Sequence, residues 1–333
     1  MTRDGTARST ARSGEVADVA HDLFAPDAAH GVSLALVVQH RGEVVFEQYG
    51  TQPDTLFGAG GPVGPDTTLI SWSMAKSMTQ AAVGIAVGDG LLDVSAPAPV
   101  DSWRGTEKES ITLDQLLEMR SGLEFVEDYV DQSISHCIDM LYGAGKDDMA
   151  DYAANLPLLH LPGSTWNYSS GTTNIIARIV GRAVGGGQQG MEMFLHERLF
   201  GPAGMTTAQP RFDPAGTFVG SSYVYATARD FARFGQLYLD DGLVDEQRVL
   251  PRGWRDHARA PVSFDDESGF GYGRQWWLWP QFEASLACHG YEGQYTLVAP
   301  DRDLVVVHLG KSPAEAREPL VRELATIVEA FAP

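Results

Sequence analysis

The chain has 333 residues, 44% of them hydrophobic and 20% charged, which is typical of a globular protein with one large domain or two interleaved ones. This composition excludes an intrinsically disordered or fibrous chain, and the presence of only two cysteines, Cys137 and Cys288, excludes a disulfide-stapled miniprotein and a cysteine metal cluster. The formal net charge of −20 repels phosphate backbones and anionic lipids, so nucleic acids and membrane surfaces are disfavoured as partners.

The N-terminal residues 1–20 are interpreted as a disordered tail. Their first part is rich in Thr, Ser, Arg and Gly and lacks the apolar segment of a secretory signal. No run of about 18 apolar residues occurs anywhere in the sequence, so no membrane span is predicted. We therefore expect a cytoplasmic protein.

The remaining elements are predicted from hydrophobic periodicity and turn residues. Two β-rich runs, 33–39 and 43–49, flank His40-Arg41-Gly42 and predict a hairpin. Helices are predicted over 71–87, from Thr112 to Ser121-Gly122, over 174–184 and over 227–239. Strands 294–299 and 304–309 and a closing helix at 320–331 complete the chain.

Strands are thus predicted at both chain ends, with a long helical region between them. Strands that lack nearby partners are expected to pair with each other, which predicts an α+β fold. Its antiparallel sheet is built from both chain ends and flanked by helices, with a large, mostly helical inserted domain. We assign residues 21–65 plus 285–333 to the sheet lobe and 66–284 to the helical lobe. The cleft between the lobes is the expected catalytic site.

The strongest local motif is Ser73-Met74-Ala75-Lys76, near the start of the predicted helix 71–87. Residues i and i+3 share a helix face, so Ser73 Oγ and Lys76 Nζ can meet. The positive end of the helix dipole favours an alkoxide at Ser73, and the apolar surroundings of Lys76 favour the neutral amine that a base requires. Only four of the 24 Lys and Arg residues are lysines, and an arginine could not act as this base because it stays protonated. Taken alone, the motif also fits a surface lysine.

A second motif, Trp166-Asn167-Tyr168-Ser169-Ser170-Gly171, precedes the predicted helix 174–184. Tyr168 is a candidate second base or proton relay. Ser170 is a candidate contact to the substrate, and it would face the same way as Tyr168 if the segment is extended. The alternative is a loop with a buried tyrosine and a helix-capping serine.

The third motif, Cys288-His289-Gly290-Tyr291-Glu292-Gly293-Gln294, leads into a strand. A glycine-rich strand edge lets a substrate carbonyl approach the backbone, so an N–H at Gly290 or Tyr291 could form an oxyanion hole with the N–H of Ser73. His289 and Glu292 are candidate polar contacts to the substrate. For His289, a hydrogen-bonded structural histidine remains the alternative.

Two further segments have simpler interpretations. Residues 276–279 (Trp-Trp-Leu-Trp) either line the substrate cleft or form a core strand. Residues 265–267 (Asp-Asp-Glu) are interpreted as a solvated loop and not as a metal site.

The chain resembles the serine β-lactamase and penicillin-binding-protein superfamily. The resemblance is carried by three motifs that follow one another in the same order: Ser-x-x-Lys, Tyr-x-Ser and a glycine-containing strand motif. The resemblance covers about residues 31–331. Within that superfamily the chain is most similar to class C β-lactamase-like esterases and 6-aminohexanoate-dimer hydrolases. The features that carry this similarity are Ser170 in place of the asparagine usual in β-lactamases, the Gly290–Gln294 strand motif and the acidic segment Glu127-Asp128-Tyr129.

The chain also departs from the superfamily pattern. The lysine of the Lys-Thr-Gly motif is missing, and Cys288 or His289 takes its place, depending on register. The dimer hydrolases carry a histidine just before the Gly-Gln pair, where this chain has Glu292. These departures, together with the lack of a visible signal peptide, weigh against β-lactam or peptidoglycan chemistry.

The resemblance implies a serine hydrolase that cleaves an ester or amide bond of a small molecule. Ser73 would form the acyl-enzyme, Lys76 and Tyr168 would move the protons, and no metal or organic cofactor is required. An acyltransferase or transesterase on a small metabolite could use the same site. A β-lactamase, or a binding protein that is acylated without turnover, is a lower alternative. The oligomeric state is left open.

Overall fold

The computed structural model describes residues 5–26, 28–54, 58–129 and 135–332. Its α-helices are α1 (Gly5–Leu23), α2 (Ala75–Gly88), α3 (Leu113–Leu117), α4 (His136–Tyr142), α5 (Met149–Asn155), α6 (Ser170–Val184), α7 (Gly187–Phe194), α8 (Ala228–Leu239), α9 (Trp254–Arg259) and α10 (Arg317–Glu329). Its strands are β1 (Val32–His40), β2 (Glu43–Tyr49), β3 (Thr51–Gln52), β4 (Gly61–Pro62), β5 (Leu69–Ile70), β6 (Gln209–Pro210), β7 (Val224–Ala226), β8 (Leu243–Val244), β9 (Gln247–Arg248), β10 (Ser263–Asp265), β11 (Phe270–Tyr272), β12 (Trp277–Leu278), β13 (Leu286–Gly290), β14 (Gln294–Ala299) and β15 (Leu304–Lys311). Within these ranges, no helix has the length and apolar character needed to cross a membrane.

One eight-stranded sheet dominates the fold, in the order β10-β11-β12-β13-β14-β15-β1-β2. The predicted hairpin is confirmed, since β1 pairs antiparallel with β2. On its other side β1 pairs antiparallel with β15, with Val37 opposite Val307, which joins the two ends of the chain. The predicted α+β fold, with an antiparallel sheet made from both chain ends, is therefore confirmed.

The sheet separates two apolar layers because side chains alternate along each strand. Ala35 and Val37 of β1 belong to the inner core layer, which contains the buried residues of α2, α6 and α8. Leu36 and Val38 belong to the outer core layer, which contains the buried residues of α1 and α10. Helix α2 is buried over residues 75–86, so its N-terminal turn is held firmly against the sheet and the helical lobe.

The prediction of a disordered tail over residues 1–20 is wrong for the described part of that segment. Residues 1–4 lie outside the described residues, and Gly5–Leu23 forms α1. Val16, Val19, Ala20 and Leu23 are buried in the outer core layer. Their i, i+3, i+4, i+7 spacing places them on one helix face, and burial of that face stabilises the helix.

The sheet also begins earlier than the predicted boundary at residue 285. Strands β10, β11 and β12 lie between residues 263 and 278, inside the segment assigned to the helical lobe. These strands are only two or three residues long, too short for a periodic hydrophobic pattern. The aromatic segment 276–279 is interpreted from its sequence either as a lining of the cleft or as a core strand. Trp276 and Trp279 are buried, as in a core strand, whereas Trp277 is only partly covered.

Three of the predicted helices begin at side-chain caps. Thr112 and Gln115 form a reciprocal capping box on α3, and Thr227 accepts from the Asp230 N–H at the start of α8. Helix α6 starts at Ser170, four residues before the predicted position 174, because the Ser169 hydroxyl accepts from the Thr172 N–H. Ser170 therefore lies in the first turn of a helix and not on an extended segment, which corrects the expected geometry.

Candidate active site

Ser73 lies in a short 3-10 helix, Trp72–Met74, that runs directly into α2. Trp72 has a φ of +43°, in the left-handed region that non-glycine residues seldom adopt. The preceding Ser71 hydroxyl has two acceptors for its single proton, the carbonyls of Trp72 (2.9 Å) and Ser222 (3.2 Å). A strained residue persists only where its surroundings hold it, and such residues concentrate at functional sites. The segment that carries Ser73 is therefore held in a defined position.

Lys76 lies one helical turn after Ser73, and its side chain is only 2% exposed. Its Nζ is 2.9 Å from Ser73 Oγ, 2.8 Å from Ser170 Oγ and 3.0 Å from the Ser221 carbonyl oxygen. The structure thus brings Ser73, Lys76 and Ser170 together, as the sequence motifs predict. Ser221 is a further partner that the sequence analysis did not identify.

Glu127 is the second residue that the sequence analysis did not place in the site. Its Oε1 accepts from Ser170 Oγ at 2.5 Å, and its Oε2 accepts from the Ser170 N–H at 2.7 Å. The Tyr129 hydroxyl also donates to Oε1. The Cys137 thiol is a fourth donor, 3.7 Å from Oε1, so Glu127 fixes Ser170 through two bonds and accepts from four donors among the described residues.

These bonds determine how a neutral Lys76 would be oriented. The Ser221 carbonyl can only accept, and the Ser170 hydroxyl must accept from Nζ because its own proton is donated to Glu127. A neutral amine has two N–H donors, and these two acceptors use both. The amine lone pair then points at the remaining neighbour, Ser73 Oγ, which is the arrangement of a base and its nucleophile.

Tyr168 packs against this pair. Its ring centroid lies 4.9 Å from Lys76 Nζ. Burial raises the pKa of the Tyr168 hydroxyl, and the opposing effects of the Lys76 charge and of hydrogen bonding with Ser73 and Lys76 offset only part of this increase. Because its pKa is raised, the Tyr168 hydroxyl is expected to be protonated at rest. It is therefore suited to donate or relay a proton, and less suited to act as a tyrosinate base.

Gly290 ends β13 next to the nucleophile segment. A Cβ at position 290 would lie 2.5 Å from the Ser71 carbonyl oxygen, so only glycine allows this approach. Tyr291 follows at once, with 40% of its surface exposed. The backbone at Tyr291 thus lies beside the segment that carries Ser73, as the predicted oxyanion hole requires.

Glu292 joins the two segments through its side chain. It has a φ of +62°. Its Oε2 accepts from Trp72 Nε1 at 3.2 Å and from Lys311 Nζ at 2.6 Å, while its backbone carbonyl accepts from the Ser312 N–H at 3.0 Å. The carboxylate is therefore engaged by the protein, and the geometry favours a positioning role over the predicted contact with substrate.

Gln294 holds the other side of this turn. Its side-chain amide nitrogen donates to the carbonyls of Tyr291 (3.0 Å) and Gly310 (2.9 Å), and its carbonyl accepts from the Gly310 N–H at 2.9 Å. The amide pairs with Gly310 as a peptide group would, next to the β14–β15 ladder. The glutamine of the strand motif thus fixes the Tyr291 backbone.

His289 does not join this constellation. Its ring stacks on Trp277 with centroids 5.1 Å apart, and its Nε2 accepts from Trp279 Nε1 at 2.8 Å. Phe270 and Tyr295, both in the outer core layer, complete its ring contacts. Burial lowers the pKa of His289 well below its usual value. This is the environment of a neutral structural histidine, the alternative that the sequence left open, and we do not retain His289 as a substrate contact.

Both cysteines are buried free thiols. Within the described part of the chain, no group of three or more His, Cys, Asp or Glu side chains is arranged to hold a metal ion. The site that the structure assembles is thus a serine–lysine pair with tyrosine, serine and glutamate around it.

Comparison with known proteins gives a consistent assignment. A sequence profile of the beta-lactamase family matches residues 20–328. The chain is 28% identical over 267 residues to the 6-aminohexanoate-dimer hydrolase of Paenarthrobacter ureafaciens, covering 75% of this chain and 67% of that protein.

Solved structures show the same fold at low identity. A Bacillus anthracis protein, provisionally assigned as a 6-aminohexanoate-dimer hydrolase, is 22% identical with a TM-score of 0.73, covering 90% of this chain and 81% of that one. A family VIII carboxylesterase is 15% identical with a TM-score of 0.71, covering 96% and 98%. At these identities the structures establish the fold alone.

Proposed function

We propose that this chain, which belongs to the beta-lactamase family of serine hydrolases, cleaves an ester or amide bond of a small molecule through an acyl-enzyme on Ser73. The observation that carries the proposal is the set of partners around Lys76 Nζ, which directs the lone pair of a neutral amine at Ser73 Oγ. The resemblance to a dimer hydrolase that acts on 6-aminohexanoate dimers supports amide as well as ester cleavage.

Acylation begins when Lys76 takes the proton of Ser73 and Ser73 Oγ attacks the substrate carbonyl. Tyr168, whose hydroxyl is protonated because burial raises its pKa, donates a proton to the leaving group. Lys76 returns a proton to the Tyr168 hydroxyl, with which its amine is hydrogen-bonded. Water then attacks the acyl-enzyme, and the same groups move the protons in the reverse direction.

The oxyanion is held by the N–H groups of Ser73 and Tyr291. Removal of one such donor in other enzymes costs about 3–4 kcal/mol of transition-state stabilisation, so the placement of the two segments matters for rate. Glu292 sets this placement, because its carboxylate bonds the side chain of Trp72, the residue before Ser73, and Glu292 itself follows Tyr291.

The kcat of the Glu292→Leu variant is therefore expected to fall about 10- to 100-fold, with little change in KM. This loss is smaller than the loss caused by removing an oxyanion donor, because the donor is still present but less well placed. Glu292→Gln should lose less, because it keeps an acceptor for Trp72 Nε1. Steady-state kinetics with p-nitrophenyl butyrate measures both. Glu47→Leu is a matched control, since it removes a glutamate that pairs with Arg229 outside the site. An increase in KM at constant kcat would instead identify Glu292 as a substrate contact.

The acyl-enzyme itself is expected to be trapped during turnover. Acid quenching of wild-type protein that is hydrolysing p-nitrophenyl butyrate should give a mass increase of one butyryl group, and peptide mapping should place it on Ser73. An initial burst of p-nitrophenol equal to the enzyme concentration would accompany it if deacylation is the slower step. Turnover with the label on a different residue would contradict the proposed nucleophile.

The same acyl-enzyme could pass its acyl group to an amine or alcohol. Product analysis with an added amine separates the two reactions. Free acid as the sole product across several acceptors supports hydrolysis, whereas an amide product would identify an acyltransferase.

A further inference from the structure

Four aromatic rings form a continuous arc next to the site. The sequence motifs did not identify these four residues as a group. Ring centroids are 5.9 Å apart for Tyr223 and Trp72, 6.0 Å for Trp72 and Tyr291, and 5.0 Å for Tyr291 and Tyr129. We call these four residues the ring arc. Tyr291 is 40% exposed and the other three are partly covered, so the rings present surface to solvent.

Each ring of the arc lies within two residues of a group in the site. Trp72 precedes Ser73, Tyr291 follows Gly290, Tyr129 lies two residues after Glu127, and Tyr223 lies two residues after Ser221. The same segments of the chain therefore carry the ring arc and the groups of the site.

The ring arc is separate from the rings around Tyr168. Those are Trp277, Tyr272 and Trp166, at 5.4 Å, 6.0 Å and 6.4 Å from the Tyr168 ring. Because Tyr168 protonates the leaving group, the leaving group belongs on the Tyr168 side. The acyl group then extends along the ring arc.

Among the described residues, the charged side chains that hydrogen-bond to the rings of the arc are two carboxylates, one of which is paired with a lysine. Glu127 accepts from Tyr129, and Glu292 accepts from Trp72 and Lys311. Lys311 is thus neutralised by Glu292 at 2.6 Å. A substrate carboxylate placed on the arc would meet aromatic faces and the Glu127 carboxylate, and both repel an anion, whereas the charges of Glu292 and Lys311 offset each other.

We propose that the ring arc binds the acyl part of the substrate and selects an uncharged acyl group that ends in an aromatic ring. This inference rests on the proposed acyl-enzyme mechanism. Aromatic pairs stabilise through edge-to-face or offset contacts beyond simple burial, and the arc offers several such contacts to a flat group. The chemical class is an aryl-alkanoyl ester or amide.

The test uses methyl esters, so that the leaving group is constant and not aromatic. Acid release is followed in a pH-stat for methyl 4-phenylbutanoate, methyl butanoate and monomethyl succinate. We expect kcat/KM to be about tenfold or more higher for the phenyl ester than for the butanoate, the size of one good ring contact, and lowest for the succinate. The fastest turnover with the succinate would overturn the inference.

Tyr223 provides the matched variants, because its side chain is not part of the proposed catalytic machinery. Tyr223→Ala should remove most of the preference for the phenyl ester, measured as the ratio of kcat/KM for methyl 4-phenylbutanoate to kcat/KM for methyl butanoate. Tyr223→Phe removes the hydroxyl that donates to Tyr142 but keeps the ring, and it should retain the preference. Tyr225→Ala removes a nearby ring that stacks on Arg211 outside the arc, and it should change neither substrate.

The outcomes separate the inference from the proposed function. Turnover of methyl butanoate without a preference for the phenyl ester overturns the role of the ring arc and leaves the serine hydrolase intact. No turnover of these esters or of p-nitrophenyl butyrate, with no acyl adduct on Ser73, overturns both. A preference that survives in Tyr223→Ala also contradicts the assignment to the arc.

Discussion

Ser73→Ala is expected to lower the turnover of p-nitrophenyl butyrate by about 10⁴-fold or more, which corresponds to about 5.5 kcal/mol of transition-state stabilisation. The variant removes the only atom proposed to bond to the substrate carbonyl, so no acyl-enzyme can form. The fold should persist because Lys76 keeps two hydrogen-bond partners, Ser170 Oγ and the Ser221 carbonyl. The measurement is p-nitrophenol release by wild type and variant in parallel, with circular dichroism and a thermal melt to check folding.

Ser77→Ala is the matched control for Ser73→Ala. Ser77 lies one turn further along α2, is buried, and donates to the Gln275 carbonyl at 2.7 Å. Its loss should lower stability by about 1 kcal/mol without a comparable loss of turnover. A Ser73→Ala protein that is folded and retains more than a few per cent of wild-type turnover would contradict Ser73 as the nucleophile.

The parts of the site that the sequence predicted are those set by local geometry. Ser73 and Lys76 meet because residues three apart share a helix face, and that relation requires no knowledge of the tertiary fold. The predicted helix start at Thr112 is likewise local, since Thr112 and Gln115, three residues apart, form a capping box there. The sheet from both chain ends followed from strands that had no other partners.

The parts that the sequence did not predict depend on contacts between distant segments. Glu127 reaches Ser170 across 43 positions, so the acidic segment 127–129 was noticed without a role. The Ser221 carbonyl is a backbone group, which no residue pattern marks. His289 failed as a candidate because side chains alternate along β13, and its ring lies next to the outer core layer while Cys288 lies in the inner one.

Helix α1 shows a different reason for failure. Its large apolar residues are confined to positions 16–23, and its mean composition is polar, so the segment resembles a disordered tail. The helix is stabilised by burial against α10 and the sheet, which is a tertiary effect. Propensity and composition alone could not detect it.

Lys76→Arg is expected to lower kcat/KM by about 10³-fold, the effect of removing a general base. Arginine supplies a positive charge and hydrogen-bond donors, but it stays protonated and cannot offer a lone pair to Ser73. The substitution therefore separates two roles for Lys76. If the residue acted only as a cation that stabilises charge, arginine would preserve much of the rate.

Two further variants make the Lys76 result decisive. Lys108→Arg is the matched control, because Lys108 donates to the carbonyls of Ala154 and Leu156 outside the site and needs only donors there. Its activity should remain close to that of wild type. The methionine side chain of Lys76→Met has a similar length but carries neither a charge nor a base. If Lys76 acts as the base, the kcat/KM of this variant should fall as far as that of Lys76→Arg. If a folded Lys76→Arg protein retained substantial turnover, another group would have to activate Ser73. The hydrogen bonds of Lys76 through Ser170 to Glu127 would then have a structural role only.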